Sequence, residues 1–458
     1  MVLQAFHGPA SRSLPAIGSS QQDPEVDSVP DQDPSDLSPS PCEFIPGFSD
    51  LAPFDDFDNT NCWLFQGTSN HLAHHKTHWA DCESDDESRE TLRHEIIQEV
   101  QALFARWLRM QNLVVLTGAG TSVCADGKLG KELLPGAKEL VSGRATADLL
   151  DRLLDCSVQQ NLNFEEFLSY LCAIRRCLKG SPQSFQNPFQ VMLPSPTDTQ
   201  DLLNAPDLDA LLSDLEAAIA AMCSPRLPIE DLADETTQQD PHLAFIGKIV
   251  SRDPRLGRAK LCTLNYDTLF EQAMDLLHVL YADGFTGRVE RHFNPASFDL
   301  DYYFPGQVSE GRVRRYDKFL HLYKLHGSVD WRKSEISPEN VHGVTWCGKS
   351  LVKESDILEH GATLDEVFTG HCAPQYSSTS DSTGIGLAIL PTSAKYGESI
   401  AMPYAHLFRM FAQTTQEPNT VLMVIGYTGW DNHVNRIIED ALTNPSFTLV
   451  IVDPALGR

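Results

Sequence analysis

Four apolar residues, Leu113-Val114-Val115-Leu116, run directly into the turn Thr117-Gly118-Ala119-Gly120-Thr121-Ser122. An unbroken β-prone run of this kind reads as a strand buried on both faces, the habit of a parallel sheet. Glycines at its end let the backbone come close to a ligand, and free N–H groups in such a turn favour an anion. A strand leading into a glycine turn is the usual opening of a nucleotide-binding α/β unit. The spacing is not G-x-G-x-x-G, so the same residues also fit a plain, tight strand-to-helix connection.

The pattern continues downstream. Thr91 to Gln111 carries Ile96, Ile97, Val100, Leu103, Phe104, Trp107 and Leu108 at helical spacing, an amphipathic helix to pack beside the first strand. Between Lys128 and Val250 the stretches 149–154, 164–178, 208–222 and 242–250 read as helices, a helical insertion over about 125–255. Strands are expected at Lys260 to Leu264, Leu320 to Lys324, Leu387 to Leu390, Val421 to Ile425 and Phe447 to Val452, most of them leading into helices. The segment 330–385 is polar and irregular and reads as an excursion. The expected fold is α/β: a Rossmann-like, doubly wound, mostly parallel sheet over 91–458 with that insertion.

Residues 1–90 differ. They are rich in Pro, Ser, Asp and Gln and poor in aliphatics, and they read as a disordered acidic tail. Aromatic residues at 44–48 and 54–57 sit in it as a short candidate partner motif. His71, His74, His75 and His78 lie near Cys62 and Cys82, but without paired cysteines or a rigid frame no metal site is expected.

Composition narrows the function. A net charge of −28 disfavours nucleic acid and anionic membranes as partners. No apolar run spans a bilayer, and Met1 to Ser20 has no secretory pattern. The eleven cysteines are odd in number and include no C-x-x-C pair, which argues against a disulfide framework and suits a reducing compartment, the cytoplasm before the nucleus.

Four polar turns follow four apolar strands: Gly118 to Ser122, Asn265-Tyr266-Asp267, His326-Gly327, and Gly426-Tyr427-Thr428 with Asp431. In a parallel sheet they share one edge. A carboxamide such as Asn265 can orient a water by donating and accepting. An imidazole such as His326 titrates near neutrality and can take a proton from a hydroxyl or a water. Each also has a plainer use, as helix cap or loop histidine.

Together the four turns resemble the sirtuin-like family of NAD-consuming domains, and more closely its divergent branch, across roughly 112–453 in pieces. The resemblance implies that Gly118, Ala119, Gly120, Thr121 and Ser122 cradle the pyrophosphate of NAD. It places Asn265 near the nicotinamide-side ribose or the attacking water, and Asp267 at the nicotinamide amide. His326 matches the catalytic histidine. Gly426, Tyr427 and Thr428 match the loop around the adenine-side ribose, Asp453 the adenosine contact, and Asp431 a helix cap. Three departures stand out. Leu264 replaces the family's Gln, Val123-Cys124-Ala125-Asp126-Gly127 replaces its Pro-Asp-Phe-Arg continuation, and the zinc ribbon is missing. The implied activity is an NAD glycohydrolase giving nicotinamide and linear or cyclic ADP-ribose, with NAD as substrate and no metal. The alternatives are an NAD-dependent protein deacylase, which the missing ribbon disfavours, and a sensor of NAD or ADP-ribose without turnover. Members of the branch often work as oligomers under a neighbouring domain or partner protein, so a homo-oligomer and a regulatory partner are further expectations.

Overall fold

The computed structural model describes residues 2–7, 63–66, 69–70, 86–158, 164–179, 192–193, 201–227, 240–288, 290–304, 315–333, 344–346, 353–368, 387–389 and 403–453. Strands β1 (Val2–His7), β2 (Trp63–Gln66) and β3 (Ser69–Asn70) fall within the stretch expected to be disordered, a departure from composition at those positions. The reason is an open edge. β1 lies antiparallel along the last strand of the sheet and occupies backbone groups that an edge strand leaves unpaired. The aromatic segments 44–48 and 54–57 and the histidines 71–78 lie outside the described residues.

Helix α1 (Asp86–Leu108) buries Leu92, Ile96 and Trp107 and ends four residues before β4 (Asn112–Thr117), whose Leu113 to Thr117 are all buried. The insertion follows as α2 (Gly130–Val141), α3 (Ala147–Val158), α4 (Phe164–Lys179), the short strands β5 (Met192–Leu193) and β6 (Asp201–Leu202), and α5 (Ala205–Met222). It has its own apolar cluster, in which Leu140, Leu150, Phe167, Leu171, Leu211 and Leu215 meet. Helix α2 was not expected, because Gly130, Pro135 and Gly136 are poor helix formers. Burial of Leu133, Ala137, Leu140 and Val141 on one face overrides that local preference.

Next come α6 (Pro241–Val250), capped by Asp240, β7 (Lys260–Thr263), α7 (Leu269–Leu276), β8 (Leu280–Ala282), β9 (Phe285–Thr286) and β10 (Arg291–Phe293). β11 (Phe319–Lys324), β12 (Gly327–Lys333), β13 (Val344–Trp346), α8 (Glu354–His360) and β14 (Leu387–Ile389) follow. The described chain closes with α9 (Tyr404–Thr415), β15 (Thr420–Ile425), α10 (Asn432–Ala441) and β16 (Thr448–Asp453).

The main sheet has the order β3-β2-β1-β16-β15-β4-β7-β11-β8, and the six strands from β16 to β8 are parallel. This is an α/β fold. Helices α1, α6 and α7 pack on one face, where Ile96, Ile246 and Leu269 meet Val115, Leu261 and Met423. Helices α9 and α10 pack on the other, where Phe411 and Ile437 meet Val114, Leu116 and Leu422. Alternate residues of β4 therefore feed two cores, as a strand buried on both sides must. Among the described residues no helix is long and apolar enough to cross a membrane.

The segment 330–385 differs from its reading as irregular, since the end of β12 and all of β13 lie in it. They belong to a second, antiparallel sheet of order β14-β12-β13-β10-β9, and Leu387–Ile389 belongs to that sheet rather than to the parallel one. Polar residues alternating along β12 hid it. Asp330 accepts from Trp346 Nε1 at 2.8 Å, and Arg332 donates to the carbonyls of Val329 and Trp331 at 2.6 and 2.9 Å. Those bonds make the polar side chains tolerable in the interior.

Candidate functional site

Strands β15, β4, β7 and β11 run in register, with Ile425 beside Thr117, Thr117 beside Thr263, and Thr263 beside Lys324. Their four following turns therefore emerge at one level. The first and last meet directly. Gly118 N donates to Ile425 O, and Gly120 N to Gly426 O, each at 3.0 Å. A Cβ on Gly118 would lie 2.6 Å from Gly426 O, and one on Gly120 would lie 2.8 Å from Gly426 Cα. These glycines are required by turn-on-turn contact, a reason that is complete without a ligand.

The turn also spends its donors. Thr121 N and Ser122 N donate to Gly118 O and Ala119 O at 3.0 and 3.1 Å. The expectation that these N–H groups stand open to an anion is therefore corrected for Gly118, Gly120, Thr121 and Ser122. The 3-10 geometry of Ala119–Thr121 closes those of Thr121 and Ser122 inward, and those of Gly118 and Gly120 go to Ile425 and Gly426.

Gly426 has φ +63°, and a Cβ there would come 2.6 Å from Thr121 N. Gly426→Ala should cost about 2 kcal/mol from left-handed strain alone, with the backbone clash added. A denaturant midpoint unchanged from wild type would show that the two turns separate freely.

Asn265 and Asp267 follow β7 and reach the first turn. Asn265 Nδ2 donates to Ser122 Oγ at 2.8 Å and to Thr121 Oγ1 at 3.1 Å, while its Oδ1 is buried with no partner. Asp267 Oδ2 accepts from Ser122 Oγ at 2.6 Å, and its Oδ1 accepts from Leu269 N at 3.1 Å, at the start of α7. Asp267 thus holds Ser122 and starts a helix.

Lys324 completes this half and was missed from the sequence. It is 2% exposed; its Nζ donates to the carbonyl of Asp267 and pairs with Glu271 Oε1 at 3.1 Å. Burial pushes the Glu271 carboxyl up to about 7, against the pull of Lys324. The available signal was a lysine ending an otherwise buried strand, two residues before His326.

His326 and Asp431 form the other half. His326 Nε2 lies 3.0 Å from Asp431 Oδ2, and both residues are buried. Asp431 Oδ1 accepts from His433 N and Val434 N at 2.9 and 3.4 Å, so it caps α10 as expected and also holds the imidazole. Nε2–H donation to the carboxylate leaves Nδ1 as the basic nitrogen of the neutral ring. Tyr427 braces this loop: its hydroxyl accepts from Asp431 N at 2.9 Å and lies 2.9 Å from Asn435 Oδ1. Burial raises the Tyr427 phenol above its ordinary range, which keeps it a neutral strut. Thr428 is exposed, and Asp453 ends β16 one residue beyond Val452, the partner of Ile425.

The halves are joined through Tyr266. Its carbonyl accepts from Val329 N at 3.0 Å and Ser328 Oγ at 3.3 Å, and its ring centroid is 6.5 Å from that of His326. The four turns thus form one hydrogen-bonded cluster. Among the described residues no group of three His, Cys, Asp or Glu side chains is placed to hold a metal. No family model and no curated protein matches the chain.

Proposed function

We propose that the chain is an NAD glycohydrolase of sirtuin-like type, built on a Rossmann-like doubly wound unit. One observation carries the reading: a buried His326–Asp431 pair shares a cluster with Asn265, whose Oδ1 is a buried acceptor without a partner. A buried polar atom left unpaired costs stability, and such atoms concentrate where a ligand supplies the missing bond.

Nicotinamide in NAD is already a cationic leaving group, so its departure needs no protonation. The barrier lies in an oxocarbenium-like ribose, which orientation and electrostatics lower. In this reading Asn265 Oδ1 accepts a hydrogen bond from the attacking water, and His326 Nδ1 takes the proton from that water or from a ribose hydroxyl. Asp431 fixes the ring and supports the imidazolium that results. Ser122 and Asp267 position Asn265 and Tyr427 positions Asp431; none of these three needs to touch the reacting atoms. Pyrophosphate binding at Gly118 to Ser122 would exchange the turn's internal bonds for bonds to phosphate, so rearrangement of this turn accompanies binding.

The test is incubation of the full chain with NAD alone, following free nicotinamide. Release without any acylated peptide supports the hydrolase. Release only with such a peptide would replace it by the deacylase, and binding without release by the sensor.

A further inference from the structure

A cleft bordering the glycine turn at Thr121 contains Cys124 and His242, two residues with no part in the chemistry above. Thr117, Thr121, Cys124, His242, Phe245 and Phe270 are among its walls. Two polar atoms of these residues, Thr117 Oγ1 and His242 Nε2, are buried with no hydrogen-bond partner. His242 is 3% exposed and sits in the first turn of α6. Its Nδ1 lies 3.4 Å from Asp240 Oδ1 and 4.0 Å from Cys124 Sγ. Cys124 is half-buried, unlike Cys262, which is buried in the core.

Burial works against a charge on His242, but hydrogen bonding to Asp240 and Cys124 outweighs it and raises the imidazole to about 9. At neutral pH the ring beside the sulfur is therefore a cation. An imidazolium 4.0 Å from the sulfur is placed to give a proton to the enolate that forms when sulfur attacks. Nucleophile, proton donor and apolar walls then face one space.

We propose that Cys124 is a covalent modification site for small α,β-unsaturated carbonyl compounds, with His242 as its acid partner. The Cys124 proton leaves to solvent, and the sulfur electron pair forms a bond to the β-carbon. The carbon–carbon π pair moves toward the carbonyl as an enolate, whose α-carbon takes a proton from the imidazolium. His242 regains its proton from solvent. The net change is addition of S–H across the double bond, with no oxidant and no leaving group. Phe245, Phe270, Ile425 and Pro241 offer the hydrocarbon part an apolar wall. The adduct would form one contact from the candidate site, because Cys124 Sγ lies 3.6 Å from Thr121 O. The inference rests on this cleft and not on the NAD reading.

The experiment treats the full, folded chain at neutral pH with less than one equivalent of N-ethylmaleimide and maps labelled cysteines by peptide mass. Cys124 should lead the exposed Cys177 by about tenfold or more. His242→Gln, checked for folding by its melting curve, should remove that lead. Equal or slower labelling of Cys124 in the wild type overturns the proposal, and so does a lead that survives His242→Gln in a folded variant. Should that variant not fold, the wild-type order of labelling decides alone.

Discussion

Replacing His326 by alanine is expected to lower nicotinamide release by about 10²- to 10⁴-fold, the usual contribution of a positioned acid or base. Folding should change less, since the Asp431 carboxylate keeps its bonds to His433 N and Val434 N when the imidazole is removed. Asp431→Asn sharpens the result. Asparagine is as good a helix cap as aspartate, so α10 should be retained and the melting curve little moved. The amide no longer supplies a negative charge to an imidazolium 3.0 Å away, so the rate should fall about tenfold or more, and mainly in kcat. Release by His326→Ala at the wild-type rate would remove the histidine from the mechanism. A large loss of stability in Asp431→Asn with normal kcat would reduce that pair to a structural one.

Lys324→Met should destabilise the fold by about 3 to 5 kcal/mol, the range for removing one partner of a buried ion pair. The ammonium is 2% exposed and bridges the Asp267 carbonyl to Glu271, so its loss leaves both acceptors uncompensated. The penalty should depend on pH in a definite direction. The Glu271 carboxyl is raised to about 7 in the fold, above its unfolded value, so its favourable contribution is present at low pH and lost as pH rises through the folded value. Without Lys324 the carboxyl rises further. The variant should be nearest to wild type well below about 7, where Glu271 takes a proton, and worst well above it. Denaturant melts at several pH values measure this, and a pH-independent difference would show that Glu271 is not the group left stranded.

Much of this arrangement was legible beforehand, residue by residue. The run Leu113 to Leu116 is a strand because nothing in it tolerates water on either face. Asp431 was readable as a cap because its side chain acts two and three residues ahead of itself. Other features were not. Val2 to His7 pairs with the sheet although its surroundings read as tail, since an edge accepts any backbone that reaches it. Leu387–Ile389 is an apolar run suited to either sheet, and only its partner β12 assigns it to the second.

The sequence by itself determined where strands end and which polar turns follow them, because these depend on residues near one another in the chain. Only the tertiary structure decided what the turns do with their groups. Ser122 meets Asp267 across 145 residues, and His326 meets Asp431 across 105. It likewise decided that the glycines face each other, that their N–H groups turn inward, and that Lys324 lies beneath Asp267. Hydrogen bonds and close contacts are short-ranged in space and indifferent to separation along the chain. Their partners are chosen by strand register, and register is set by the packing of the whole sheet.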